Sequence, residues 1–100
     1  MKLVSEAMAG TLESSDLQVT IEPGNGEISL SLDSTVIAQY GRQIRAVVLE
    51  TLERLQVNSA KIAIVDKGAL DCTIRARVEC AVYRAAKFEG SVPWEGGSAS

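Results

Sequence analysis

From Leu17 onward the chain alternates: Leu17, Val19 and Ile21 face one way, and Gln18, Thr20 and Glu22 the other. After Pro23-Gly24-Asn25-Gly26 the alternation resumes, with Ile28, Leu30 and Leu32 set against Ser29, Ser31 and Asp33. A period of two marks strands with one buried face, and the Gly/Asn-rich break between them reads as the turn of a hairpin. Upstream, residues 7–12 fit a third strand with Met8, Gly10 and Leu12 on one face. It is a weaker strand, because Ala and Gly offer little to cross-strand packing. Glu13-Ser14-Ser15-Asp16 then connects it to the next strand.

At Asp33-Ser34 the period lengthens. Val36, Ile37, Tyr40, Ile44, Val47, Val48, Leu52 and Leu55 recur at spacings of three and four, which predicts a long amphipathic helix. Asp33 or Ser34 can cap its start by accepting a free backbone N–H, and Val57-Asn58-Ser59 ends it. Gly41 inside it costs about 1 kcal/mol relative to Ala, a cost that a close approach to the sheet would explain. Residues 61–65 (Lys-Ile-Ala-Ile-Val) are short and β-branched and suit a fourth, buried strand. Asp66-Lys67-Gly68 turns the chain into a second helix, whose apolar stripe runs through Leu70, Ile74, Val78, Ala81, Val82, Ala85 and Phe88. Beyond Gly90 the chain is Gly/Ser-rich, with Trp94 available to cover an edge. The order β-β-β-α-β-α predicts an α+β sandwich: a small, largely antiparallel sheet of about four strands with two helices packed on one face. Residues 1–90 form the expected domain and residues 91–100 a flexible C-terminal tail.

Composition narrows the chemistry. One hundred residues, 46% of them apolar, make one globular domain. There is no histidine, hence no Ser-His-Asp triad, no Cys-His pair and no imidazole ligand or base. The net charge of −3 argues against a nucleic-acid partner, which would need a basic face. That charge is uneven: residues 1–33 carry one base, Lys2, against six acids, whereas the remainder carries nine bases and seven acids. The second helix concentrates Arg75, Arg77, Arg84 and Lys87 against Asp71 and Glu79. Such a face is either solvated and laced with intrahelical pairs such as Asp71–Arg75, or turned toward an anion or a partner. Cys72 and Cys80 lie eight apart on this helix, about 12 Å along its axis. A disulfide spans at most about 7 Å between Cα atoms, so they are expected to be free thiols, as in a reducing compartment. The N-terminus Met-Lys-Leu-Val-Ser-Glu lacks a signal-peptide core, and no apolar run reaches the roughly 20 residues of a membrane span. A cytoplasmic protein with no membrane partner is expected.

Among sites for chemistry, the carboxylates are scattered. Two thiols two helical turns apart cannot share one metal ion. Asp66-Lys67-Gly68-Ala69-Leu70 is too poor in glycine for a phosphate loop. There remains Ser14-Ser15-Asp16. By residue type such a segment forms a turn through its own backbone, and the neighbouring acids do not activate a serine as a nucleophile. An exposed serine in a connection is, however, a suitable place for a modifying enzyme to attach a group.

The segment Glu6-Ala7-Met8-Ala9-Gly10-Thr11-Leu12-Glu13-Ser14-Ser15-Asp16-Leu17 resembles the N-terminal signature of the citrate lyase acyl carrier proteins, the gamma subunits of that complex. So does Asp66-Lys67-Gly68-Ala69-Leu70-Asp71-Cys72-Thr73-Ile74-Arg75-Ala76-Arg77, followed by Ala81 and Arg84-Ala85; between them, Gln39-Tyr40-Gly41-Arg42-Gln43-Ile44-Arg45 is similar to the family's first helix. The resemblance runs over residues 1–88 and fades from Glu89. It implies a non-catalytic carrier whose Ser14 bears, through a phosphodiester, a 2'-(5''-phosphoribosyl)-3'-dephospho-coenzyme A group. On that group's thiol, acetyl and then citryl would be held as thioesters. The implied partners are the alpha subunit, which exchanges acetyl for citrate, the beta subunit, which releases oxaloacetate, and a holo-carrier synthase. Arg75, Arg77 or Arg84 would then contact cofactor phosphates or a partner subunit. The analogous carrier of malonate decarboxylase and an unmodified interaction module are the alternatives.

Overall fold

The structure, a computed structural model, describes residues 1–86. Six elements follow one another: β1 (Ala7–Gly10), β2 (Leu17–Pro23), β3 (Ile28–Ser34), α1 (Ile37–Arg54), β4 (Ala60–Asp66) and α2 (Asp71–Ala85). Phe88, Trp94 and the expected tail lie outside the described residues.

The four strands form one sheet in the order β1-β2-β4-β3. β1 pairs antiparallel with β2 and β2 antiparallel with β4, while β3 runs parallel to β4. The sheet is thus largely antiparallel, but the hairpin expected of β2 and β3 does not form, because β4 lies between them. The register shows why. Ala60 is the partner of both Pro23 and Ile28, so Gly24-Asn25-Gly26-Glu27 arches over the start of β4, a step of two strand spacings, about 9.6 Å. A Cβ on Gly24 would come within 2.6 Å of the Ala60 nitrogen. The Ala60 N–H donates to the Glu27 carbonyl at 3.1 Å and the Gly26 N–H to Ser59 Oγ at 2.8 Å. The glycines serve a strand-skipping arch, and α1 is the crossover that makes β3 and β4 parallel neighbours.

Alternation in β2 places Leu17, Val19 and Ile21 in the core at zero exposure. β4 is central in the sheet yet buried on one face only: Ile62 and Ile64 point inward, while Lys61 and Ala63 are exposed. That corrects the wholly buried strand expected of Lys-Ile-Ala-Ile-Val. In β1, Ala9 is the buried residue and Met8 is exposed, and the strand stops at Gly10, leaving Leu12 in a loop. The helices cover the inward face: α2 lies against β1 and β2, α1 against β3, and the two pack on each other. Ile74, Val78, Ala81, Val82 and Ala85 of α2 are buried as the stripe predicts, whereas Leu70, the residue before the helix, is exposed.

α1 begins later than expected. Ser34 ends β3, and the residue capping α1 is Val36, without a side-chain cap; Asp33 stays exposed on β3. The Ser34 hydroxyl instead donates to Asp66 Oδ2 at 2.8 Å and accepts from the Val36 N–H at 3.1 Å. Asp66 is a buried carboxylate that also accepts from the backbone N–H groups of Gly68 and Ala69 at 3.1 and 3.0 Å. It pins the end of β3 and the start of the loop to α2 at one point. Gly41 is buried on the inner face of α1.

Candidate functional site

Residues 11–16 join β1 to β2. Gly10 opens this loop at φ +90, and a Cβ there would lie 1.9 Å from the Leu17 carbonyl oxygen, so only glycine fits. The Thr11 N–H closes the base by donating to that carbonyl at 3.2 Å. At the tip the Asp16 N–H donates to the Glu13 carbonyl at 3.2 Å, which makes a four-residue turn with Ser14 and Ser15 at its centre. Ser15 has φ 65, the left-handed backbone that a type II turn requires at its third position. Its N–H donates to the Lys67 carbonyl at 2.8 Å, and the Lys67 N–H returns to the Asp16 carbonyl at 2.8 Å. These two bonds carry the β2–β4 ladder beyond its last pair, Leu17 and Asp66. Ser15 is therefore anchored through its backbone. Ser14 and Ser15 are both exposed, and neither hydroxyl bonds to another described residue; the two differ in that the Ser14 N–H has no backbone acceptor among those residues.

Asp16 organises the loop. Its carboxylate accepts from Thr11 Oγ1 at 2.7 Å, from the Leu17 N–H at 2.8 Å, and from Arg77 Nε and Nη2 at 3.1 and 3.0 Å. The two-pronged Arg77 contact, helped by Thr11 and Leu17, lowers the Asp16 pKa from 3.8 to about 2 against the opposing effect of burial. This ion pair joins residues 61 positions apart. Periodicity alone does not reveal it; the only signal was an arginine-rich helix facing an acidic N-terminal third.

The three arginines singled out in α2 have different surroundings. Arg77 holds Asp16. Arg84, two turns on along the same face, donates to the Met8 carbonyl at 2.7 Å and braces β1. Arg75 has no hydrogen bond or ion pair among the described residues. The intrahelical Asp71–Arg75 pair is absent among them too; Asp71 Oδ2 accepts from Gln43 Nε2 at 2.9 Å, and Glu79 pairs with Arg54. Arg75 lines an open groove of about 760 Å³ between the first turns of α1 and α2, walled by Val36, Tyr40, Ile44, Ala69 and Leu70. Cys72 is exposed in this groove, Cys80 is half-buried beside the core, and both are free thiols.

Among the described residues no three potential ligands converge on a metal position, and no helix is long and apolar enough to cross a membrane. The Asp16 carboxylate is committed to Arg77, Thr11 and Leu17 and leaves Ser14 without a bonded base. The loop offers accessible hydroxyls on a braced turn.

Comparison with known proteins fits a chain of this kind. A family model described as "ACP: Malonate decarboxylase delta subunit (MdcD)" matches residues 4–85. The citrate lyase acyl carrier protein of Vibrio cholerae serotype O1 (strain M66-2) is 59% identical over 95 residues, 94% of this chain and 96% of that protein. The proteins of the same description from Enterobacter sp. (strain 638) and Streptococcus equi subsp. equi (strain 4047) are 55% and 56% identical, over 94% and 89% of this chain and 96% and 88% of theirs. Among solved structures, a chain of a Pseudomonas malonate decarboxylase hetero-tetramer in complex with malonate superposes with a TM-score of 0.65 at 28% identity, over 81% of this chain and 84% of that one. The chain belongs to the citrate lyase acyl carrier protein family.

Proposed function

We propose that this chain is the acyl carrier subunit of a citrate lyase and that the Ser14 hydroxyl bears its prosthetic group, 2'-(5''-phosphoribosyl)-3'-dephospho-coenzyme A, through a phosphodiester. The observation that carries the assignment is the contrast between the two adjacent serines. Both serines are exposed and neither hydroxyl is bonded among the described residues, but the Ser15 backbone is fixed by its bond to Lys67 and its left-handed conformation, whereas the Ser14 N–H makes no such bond. The residues present fit such a group: a modifying enzyme can reach the hydroxyl, and the turn beneath it is braced by Asp16 and Arg77.

When bound, the group supplies a thiol that holds an acyl chain as a thioester. What the chain itself contributes is a fixed origin for a long tether. A tether raises the effective concentration of its far end at each site within reach. The lack of histidine accords with a subunit that leaves bond-making to partners. Those partners are the alpha and beta subunits, with a holo-carrier synthase for loading. Assembly into a larger complex is in keeping with the hetero-tetramer to which the malonate decarboxylase chain belongs.

Co-expression with a synthase is expected to raise the intact mass by one such group, and Ser15→Ala to leave that gain unchanged. Uptake of the same mass by Ser14→Ala would overturn the assignment. The family model and the solved neighbour favour a second reading, the carrier of malonate decarboxylase. Citrate lyase carriers at 55–59% identity, against 28% for that neighbour, favour citrate. Reconstitution with citrate or malonate as substrate decides between the two.

A further inference from the structure

Resting on the attachment at Ser14, we propose that the groove between the first turns of α1 and α2 is a docking site for the nucleotide portion of the tethered group, with Arg75 as its anion contact. Three observations carry this.

The first is position. The backbone of the Ser14 turn is bonded to Lys67 in both directions, and the next residue, Gly68, is already in the groove wall. Two Cα steps of 3.8 Å and one interstrand spacing put the attachment residue within about 12 Å of Gly68 in the groove wall. A group containing two riboses, a pyrophosphate and a pantetheine chain covers that distance easily.

The second is chemistry. The groove volume of about 760 Å³ suits a nucleotide-sized ligand. Its walls pair exposed apolar and aromatic surface with a cation. Tyr40 is 49% exposed and Leu70 71%, neither spent on the core, and Arg75 is the one arginine of the three without a partner among the described residues. Aromatic faces stack on bases, and the guanidinium fork matches phosphate oxygens. The groove's carboxylate, Asp71, is engaged by Gln43.

The third is division of labour. Arg77 and Arg84 are spent on Asp16 and the Met8 carbonyl. They brace the loop and β1, so of the three arginines Arg75 is the one left to meet an anion in the groove, with Lys67 in the segment between.

Docking parks the arm against its own carrier and competes with its entry into a partner's active site. The test uses the full chain, isotopically labelled, in unmodified and synthase-loaded forms, the latter confirmed by intact mass. Loading is expected to shift the amide resonances of Gly68 to Cys72 and of Tyr40 and Gln43, and to slow alkylation of Cys72 several-fold while leaving Cys80 unchanged. Free 3'-dephospho-coenzyme A added to the unmodified chain is expected to shift the same amides, and Arg75→Ala to weaken that binding about tenfold. If the mass gain appears but the groove amides and Cys72 stay as in the unmodified chain, the docking proposal falls and the attachment stands. If Ser14 takes up no group while the free nucleotide still shifts the groove in an Arg75-dependent way, the attachment falls and the groove stands as a nucleotide site. A groove that responds only when catalytic subunits are added is a subunit-docking surface, and the proposal is overturned.

Discussion

At the scale of single residues, the loop that presents Ser14 depends on two positions that take no part in any chemistry. Gly10 lets the chain leave β1 beneath the Leu17 carbonyl. Gly10→Ala places a methyl group against backbone at a positive φ, and chemical denaturation is expected to show a loss of at least about 2 kcal/mol. A variant as stable as the parent would show that the loop does not need this conformation. Asp16 is the second. Its carboxyl titrates near 3.8 when unfolded and about 2 when folded. The folded state therefore binds the proton more weakly, and the contribution is complete above the unfolded value and lost as pH falls toward 2. The partly exposed Arg77 fork limits it to about 1 kcal/mol. Denaturation of the parent and of Arg77→Leu, above and below this window, is expected to show the variant losing less stability on acidification. Equal acid losses would mean that the pair contributes nothing. None of this was legible in Glu-Ser-Ser-Asp, which announces a turn through residue type alone. What the residues do announce is the family, through a resemblance carried by the segments on both sides of the serine pair.

At the scale of elements, alternation marks β2 and β3 and the longer period marks both helices, whereas β4 shows only as a β-branched run and β1 only as a weak strand whose buried residue, Ala9, lies opposite the expected Met8 face. The partners of the strands were not legible. Alternation says which side of a strand is wet and nothing about which strand lies alongside. Pro23-Gly24-Asn25-Gly26 has hairpin chemistry, but its four-residue span serves equally to step over β4, and the decisive contact, Gly24 against the Ala60 nitrogen, joins segments far apart in sequence. Asp-Lys-Gly reads as a turn by residue type, yet Asp66 is the buried acceptor that ties the end of β3 to the loop before α2. Truncation by Asp66→Ala leaves one hydroxyl and two backbone donors without their acceptor. Unfolding measurements are expected to show a loss of about 3 kcal/mol. Asp66→Asn, which keeps one carbonyl oxygen, is expected to lose less. Near-neutral behaviour of the alanine variant would rule out this carboxylate as the junction.

For the molecule as a whole, the arrangement sets an unequal distribution of stability around one functional point. β2 and β4 are paired along seven residues and carry the fully buried Leu17, Ile21, Ile62 and Ile64, whereas β1 has four pairs and, among the described residues, one neighbouring strand. The loop that carries Ser14, the proposed point of attachment, joins the two regimes. A carrier needs this combination: an arm that sweeps, on a root that stays put, so that its reach is set by the arm and not by the loop. Hydrogen exchange reads the distinction directly, since protection follows the free energy of opening. The amides of Gln18, Thr20, Ala63 and Val65, which the register turns into the β2–β4 ladder, are expected to exchange last, near the limit of global unfolding. Within the loop, the Ser14 amide has no bonded acceptor among the described residues and is expected to exchange fast, while those of Ser15 and Lys67, each bonded at 2.8 Å across to the other segment, are protected by orders of magnitude more. A step in protection between two adjacent serines is the signature of a fixed root under a free hydroxyl. Equal, fast exchange at both would show that the whole turn moves with the arm, and Asp16 and Arg77 would then hold nothing that matters to the tether.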